Sequence, residues 1–428
     1  MISGEIPANE FSRFCELGRF VQAVVPRYDC VCESTIIDPG TWHYLARVSQ
    51  GIPLFPSLRE LHWTIQDPSS TDILFLVPPS LRCLTICYSG CSSDSREWML
   101  SQEMLFRTIF NTAAQLTQLI IRDVDEALLP ACLVHARVLR QLRVEFLEHR
   151  TSVGLDTLRA VSSMDSLEEL SFSFDALEDL VDFSGFSALK KLEMTMISGS
   201  ARPIFVAFSS PNLRELTLDS EIEVLKAEEA SATSAMLAQS FPSMEDLTWS
   251  LSVGDGVPLE SALAPLFPLR LAKVSLKVRG LSGSTPTDDL FATIARSWPG
   301  LVELSINIPY QSDDAGLLPG ITAHALLAFA RGCPRLQTLR LPRMCGPLPG
   351  TVGEYPVLQH ALRTLAVDRP GFIGDAGYVT CALVLDRLFP DLDTTLANSG
   401  GYDPVSSAWW RMMSSVRLCQ LGRTNRTS

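Results

Sequence analysis

Cys83, Cys87 and Cys91 follow one another with three residues between each, and Cys30 and Cys32 form a Cys-x-Cys pair. Thiolates at short spacing are zinc ligands, and zinc needs four of them in a tetrahedron about 2.3 Å from the ion. The spacing argues against that use. On an extended chain rising roughly 3.3 Å per residue, Cys83 and Cys87 stand about 13 Å apart, beyond the reach of one ion. They are expected to be small, half-buried residues, and no metal is expected. The six histidines are dispersed. The chain also has no Gly-x-x-x-x-Gly-Lys-[Ser/Thr], His-Glu-x-x-His, Gly-x-Ser-x-Gly or Cys-x-x-Cys segment, so neither a catalytic residue nor a cofactor is expected. Trp409-Trp410 and Met412-Met413 are expected to pack a terminal cap, with an exposed partner anchor as the alternative.

What positions these residues is a phrase that recurs along nearly the whole chain. FPSLRELHW at Phe55 to Trp63 places apolar residues at x, x+3 and x+5, here Leu58, Leu61 and Trp63. The same skeleton returns at Leu81, Leu116, Leu139, Leu167, Leu189, Leu213, Met244, Leu271, Leu301, Leu336 and Leu362, in steps of 22 to 35 residues. The last two apolar positions lie two apart and so face one side of a strand, while the first packs at the bend leading in. One turn cannot bury these residues alone, but stacked turns share a continuous core. Such spacing is the leucine-rich-repeat signature. The expected fold is therefore an α/β horseshoe solenoid of about twelve irregular repeats, with a parallel concave sheet and helical caps. A segment spanning 1–54 is expected to be a helical lead-in, 55–369 the solenoid, and 370–428 a C-terminal cap with a frayed tail.

Within the lead-in, Phe11, Phe14, Leu17, Val21 and Val24 recur at helical spacing and predict an amphipathic helix over the open end. A second helix is expected over Pro39 to Gln50. Helices are predicted in the returns after Ser95 and Asp125, from Thr287 to Ser297 and from Thr322 to Gly332. Another is expected from Asp375 to Phe389 with Val379, Leu383 and Leu388 inward. The position three beyond each strand phrase, where many repeats carry Asn or Cys, holds unlike residues from Gln66 and Ser89 to Pro370. No side-chain ladder can form there, so the backbone groups must be satisfied another way.

Composition narrows the function classes. A net charge of −13, with 46% hydrophobic and 19% charged residues, argues against nucleic acid or an acidic membrane as partner, because phosphate binding needs clustered Lys and Arg. No apolar run reaches the roughly 20 residues of a membrane span. The first residues have no basic start followed by an apolar stretch, and the eleven cysteines are odd in number and scattered. A reducing location, cytoplasm or nucleus, is expected.

FPSLRELHW, FPSMEDLTWSL and CPRLQTLRL, with the helical lead-in and the DRLFPDLD segment, resemble the repeat region of fungal F-box leucine-rich-repeat proteins. The resemblance implies repeats that hold a protein substrate, beside an F-box that docks on a Skp-type adaptor of a ubiquitin ligase. The F-box itself is not matched. Its nearest echoes are Ile6-Pro7 and Val31-Cys32, and Trp42 lies too far on. A stand-alone repeat scaffold or inhibitor unrelated to ubiquitin is the alternative.

Residues alternating with the strand leucines face the concave side. Repeats five to eight place Glu169, Glu193, Glu215, Asp219 and Asp246 there against the single base Lys191, and the next two repeats add Lys273, Lys277 and Glu303. The expected partner-binding residues are Glu169, Glu193, Glu215, Asp219, Asp246, Lys273, Lys277 and Glu303. An acidic floor would attract a basic segment of a protein partner.

Overall fold

The structure, a computed structural model, describes residues 6–25, 39–50, 52–65, 71–88, 96–124, 129–136, 138–145, 153–174, 185–196, 205, 207–208, 210–254, 257–280, 286–309, 321–345, 351–371, 375–395 and 407–427. Cys30, Val31, Cys32, Cys91, Ser95, Asp125 and the loop Ile197 to Pro203 lie outside these residues. So do the side chains of Trp42 and Trp98.

Most copies of the phrase open the same way. A tight turn precedes it, closed by the amide of the first leucine on the carbonyl three residues back: Leu58 to Phe55, Met244 to Phe241, Leu301 to Trp298 and Leu336 to Cys333, at 3.0–3.2 Å. Pro56, Pro242, Pro299 and Pro334 occupy the second place of those turns, where a fixed φ costs nothing. The strand follows at once. Every residue of the repeated skeleton is buried except Trp63, which is half-buried. Each buried leucine stabilises by roughly 1.5–3 kcal/mol.

The chain divides into two compact units, Met1–Gly199 with Val206–Ser210, and Ser200–Phe205 with Pro211–Ser428. In the first, β1 (Ala23–Val24), β2 (Glu60–Ile65), β3 (Cys83–Tyr88), β4 (Gln118–Arg122), β5 (Gln141–Glu145), β6 (Glu169–Phe174) and β7 (Lys191–Met196) pair in parallel, each with its predecessor. In the second, β8 (Glu215–Leu225), β9 (Asp246–Val253), β10 (Lys273–Arg279), β11 (Glu303–Asn307), β12 (Thr338–Cys345) and β13 (Thr364–Gly371) do the same. Parallel neighbours in chain order, joined by returns, make the α/β leucine-rich-repeat solenoid expected from the phrase. The division falls inside the repeat region.

The missing side-chain ladder has a backbone substitute at strand entry. The carbonyl of Arg59 accepts from the amides of Arg82 and Cys83, that of Arg82 from Thr117 and Gln118, and that of Thr117 from Arg140 and Gln141. In the second unit Arg214, Glu245, Ala272, Val302 and Gln337 repeat the pattern. One carbonyl with two lone pairs serves two amides of the next turn, so no particular side chain is needed.

The returns carry helices whose inner faces complete the core. Arg96–Thr112 buries Leu105, Phe106 and Ile109, and Asp288–Ser297 buries Leu290, Phe291 and Ile294. Leu155–Ser162 and Ala227–Ser240 are further helices that the caps and spacing did not single out. Three expectations are corrected. The first helix spans Ala8–Gly18 only. The Phe20 and Val21 amides close turns on the carbonyls of Leu17 and Gly18, and Ala23–Val24 joins the sheet; a Cβ at Gly18 would stand 2.5 Å from the Leu54 carbonyl oxygen, so glycine admits this close approach. In Asp375–Leu388 the inward stripe is Cys381, Val384, Leu385 and Leu388, while Val379 and Leu383 are exposed; these four fall at helical spacing on one face. The tail expected to fray is a helix, Ser407–Thr427. Gln420 Nε2 donates to the carbonyls of Pro390 and Leu392, and Arg423 donates to that of Pro390 and pairs with Asp386 at 3.2 Å.

Candidate partner-binding face

Period-two alternation sends one side of every strand into the core and leaves the other as a polar face. In β6 and β7 the exposure alternates without a break, half-buried Glu169, Ser171, Lys191 and Glu193 interleaving with buried Leu170, Phe172, Leu192 and Met194.

In the first unit the register places Gln118, Gln141, Glu169 and Lys191 in one row across four strands, with Ile120, Arg143, Ser171 and Glu193 in the next. Together they line a shallow depression of about 140 Å³. Glu169 and Glu193 are diagonal neighbours on adjacent strands, a spacing of about 7–8 Å. Among the described residues neither is ion-paired. Arg143 pairs with Glu145, which also holds Arg122 at 2.7 Å. The depression therefore has two unengaged carboxylates beside bases that already have partners. Gln118, Gln141 and Arg143 were not among the expected site residues. Their signal was the same alternation, one and two repeats before the acid-rich stretch begins.

In the second unit Glu215, Asp246, Lys273 and Glu303 form one row across β8 to β11. Lys273 Nζ lies 3.0 Å from Asp246 Oδ2. That hydrogen bond raises the lysine above its ordinary pKa, with Glu215 and Glu303 acting in the same direction. Asp219 and Lys277 belong to a second row, on either side of Ser250. The face is thus a mosaic with local ion pairs, less uniformly acidic than a count of strand residues suggests.

Cys83 and Cys87 lie on β3 with Thr85 buried between them. Burial, helped by Glu60, pushes the Cys83 thiol up to about 11, and burial also raises Cys87. Both are neutral thiols at pH 7, poor as nucleophiles and as ligands. His62 Nε2 is 3.1 Å from Glu60 Oε1 on the same strand. Trp409, Met412 and Met413 are buried in the last helix while Trp410 is 56% exposed, so the aromatic pair divides between packing and surface.

No protein-family model matches this chain, and no curated protein matches it. Among solved structures it is similar to that of the Toll–Spätzle complex, described as a molecular hub in Drosophila development and innate immunity. The two share 14% identity with a TM-score of 0.42, over 83% of this chain and 44% of the other. This chain thus spans less than half of that one, and a likeness so distant carries no weight for family or partner.

Proposed function

We propose that this chain is a non-catalytic protein-binding module whose polar sheet face takes a basic segment of a protein partner. The observation that carries this reading is the pair of unengaged carboxylates, Glu169 and Glu193, set on adjacent strands around one depression. A partner's arginine or lysine between them would add ion pairing to charge-assisted hydrogen bonds with both carboxylates. Paired neighbouring strands fix the spacing of the two side chains along the sheet before binding, so no backbone has to be ordered.

The form of this role that the sequence resemblance favours is the substrate-receptor part of an F-box-type ubiquitin-ligase adaptor, working with a Skp-type adaptor in the cytoplasm or nucleus. Two measurements test the proposal. A photo-crosslinking residue at Ser171 should capture a protein partner in cells, and one at Arg159, in the return helix Leu155–Ser162, should not; equal capture at both positions would refute the face assignment. Co-elution of the purified chain with a purified Skp-type adaptor supports the ligase role. Separate elution removes it and leaves a free-standing scaffold or inhibitor.

A further inference from the structure

Lys273 stands on β10 with Asp246 beside it on β9 and Glu303 on β11, and Glu215 lies one strand beyond Asp246 in the same register row. The Lys273 side chain is 56% exposed while that of Asp246 is 28% exposed. A cation of the chain itself thus occupies the place a partner's cation would take. We infer that Lys273 is an internal competitor for the second unit's binding row: its ammonium covers the Asp246 carboxylate, and an arginine or lysine of the partner binds by displacing it into solvent. The inference rests on the reading that the sheet face receives a basic segment.

The energetics allow the exchange. An exposed ion pair is worth about 0–1 kcal/mol, so releasing Lys273 costs little. Its four-carbon stem can swing the ammonium away, and an incoming guanidinium makes two parallel hydrogen bonds where the ammonium acts as a point charge. Glu215 and Glu303 attract either cation, so they hold the lysine in the row when it is empty and help the ligand when it is filled. Lys277 cannot take over this role. It lies four residues along the same strand, about 13 Å away, and is not ion-paired among the described residues.

The test is fluorescence anisotropy of a labelled decapeptide of alternating Arg and Gly with the full chain at 0.15 M salt. Lys273→Met should bind about three- to tenfold tighter than the natural chain, since one repelling charge a few ångströms away is removed. Lys273→Arg, which restores the cation, should restore the weaker binding. Arg331→Met removes the same charge from the last turn of the return helix Ala323–Gly332 and should leave affinity unchanged. Lys273→Gln gives a second uncharged variant, with circular dichroism confirming the fold of each. Binding by the natural chain that neither Lys273→Met nor Lys273→Gln tightens overturns the competitor alone. So does an equal gain in Arg331→Met, which would make the effect one of net charge. If no variant binds the peptide, the competitor and the basic-segment reading both fall.

Discussion

His360 ties two turns of the second unit together through both ring nitrogens. The Leu362 amide donates to Nδ1 at 3.1 Å, which leaves the proton on Nε2 to donate to the Cys333 carbonyl at 2.8 Å. The ring is buried edge-on to Phe389. Burial lowers its pKa despite the Cys333 bond, so the unfolded chain takes up the proton first. The stabilisation is full above the unfolded value of about 6.5 and is lost as pH falls through the lower folded value. His360→Leu should cost about 1–3 kcal/mol at pH 7.5, because a buried carbonyl and amide lose their partner. The variant's stability should also vary less between pH 7.5 and 5 in denaturant titrations; a slope equal to that of the natural chain would contradict this role. Cys83 gives an independent check. With its thiol raised to about 11, site-resolved alkylation should keep accelerating from pH 8 to 10, where an ordinary thiol would level off near 8.5. The role of His360 was not legible in the sequence, since it lies before the last repeat phrase with nothing in its spacing to mark a partner. The half-burial of Cys83 was expected from its place on a strand, but the neighbouring Glu60 that adds to its shift shows only when strands stack.

Among the elements, the strands were legible and the returns only where a cap announced them. Leucines at three and two residues of separation can satisfy one geometry, a bend followed by a strand, whatever lies between the copies. The return helix Asp288–Ser297 was equally plain, since Thr287 accepts from the Leu290 amide as an N-cap should. Ala227–Ser240 was not. It is rich in small residues and starts after Lys226 without the usual capping type. Residues in contact across turns were hidden as well. Asp288 accepts from the amide and hydroxyl of Thr322, at 2.8 and 2.5 Å, and so joins one helix start to the next. Thr322→Val should destabilise Ala323–Gly332 by about 1–2 kcal/mol through the lost cap. Hydrogen exchange should show faster amides in that helix and little change in Leu155–Ser162; uniform acceleration would instead point to global unfolding.

At the scale of the molecule, the charge balance sets what the polar face can receive. A net charge of −13 repels acidic partners at a distance and speeds the approach of basic ones. The candidate residues were legible because burial alternates along the stretches of strand that carry them. Their engagement was not, since the ion pairs of Asp246 with Lys273 and of Arg122 with Glu145 depend on which strands neighbour one another and in what register. That register separates the carboxylates already occupied from Glu169 and Glu193. The central claim is therefore tested most directly by the affinity of the Arg-Gly decapeptide for the double variant Glu169→Lys, Glu193→Lys, with circular dichroism and thermal midpoint measured alongside. The account predicts an unchanged fold and the loss of one peptide site per chain at 0.15 M salt, the first unit's depression no longer binding while the second unit's row still does. An unchanged number of sites and unchanged affinity in a folded double variant would contradict it.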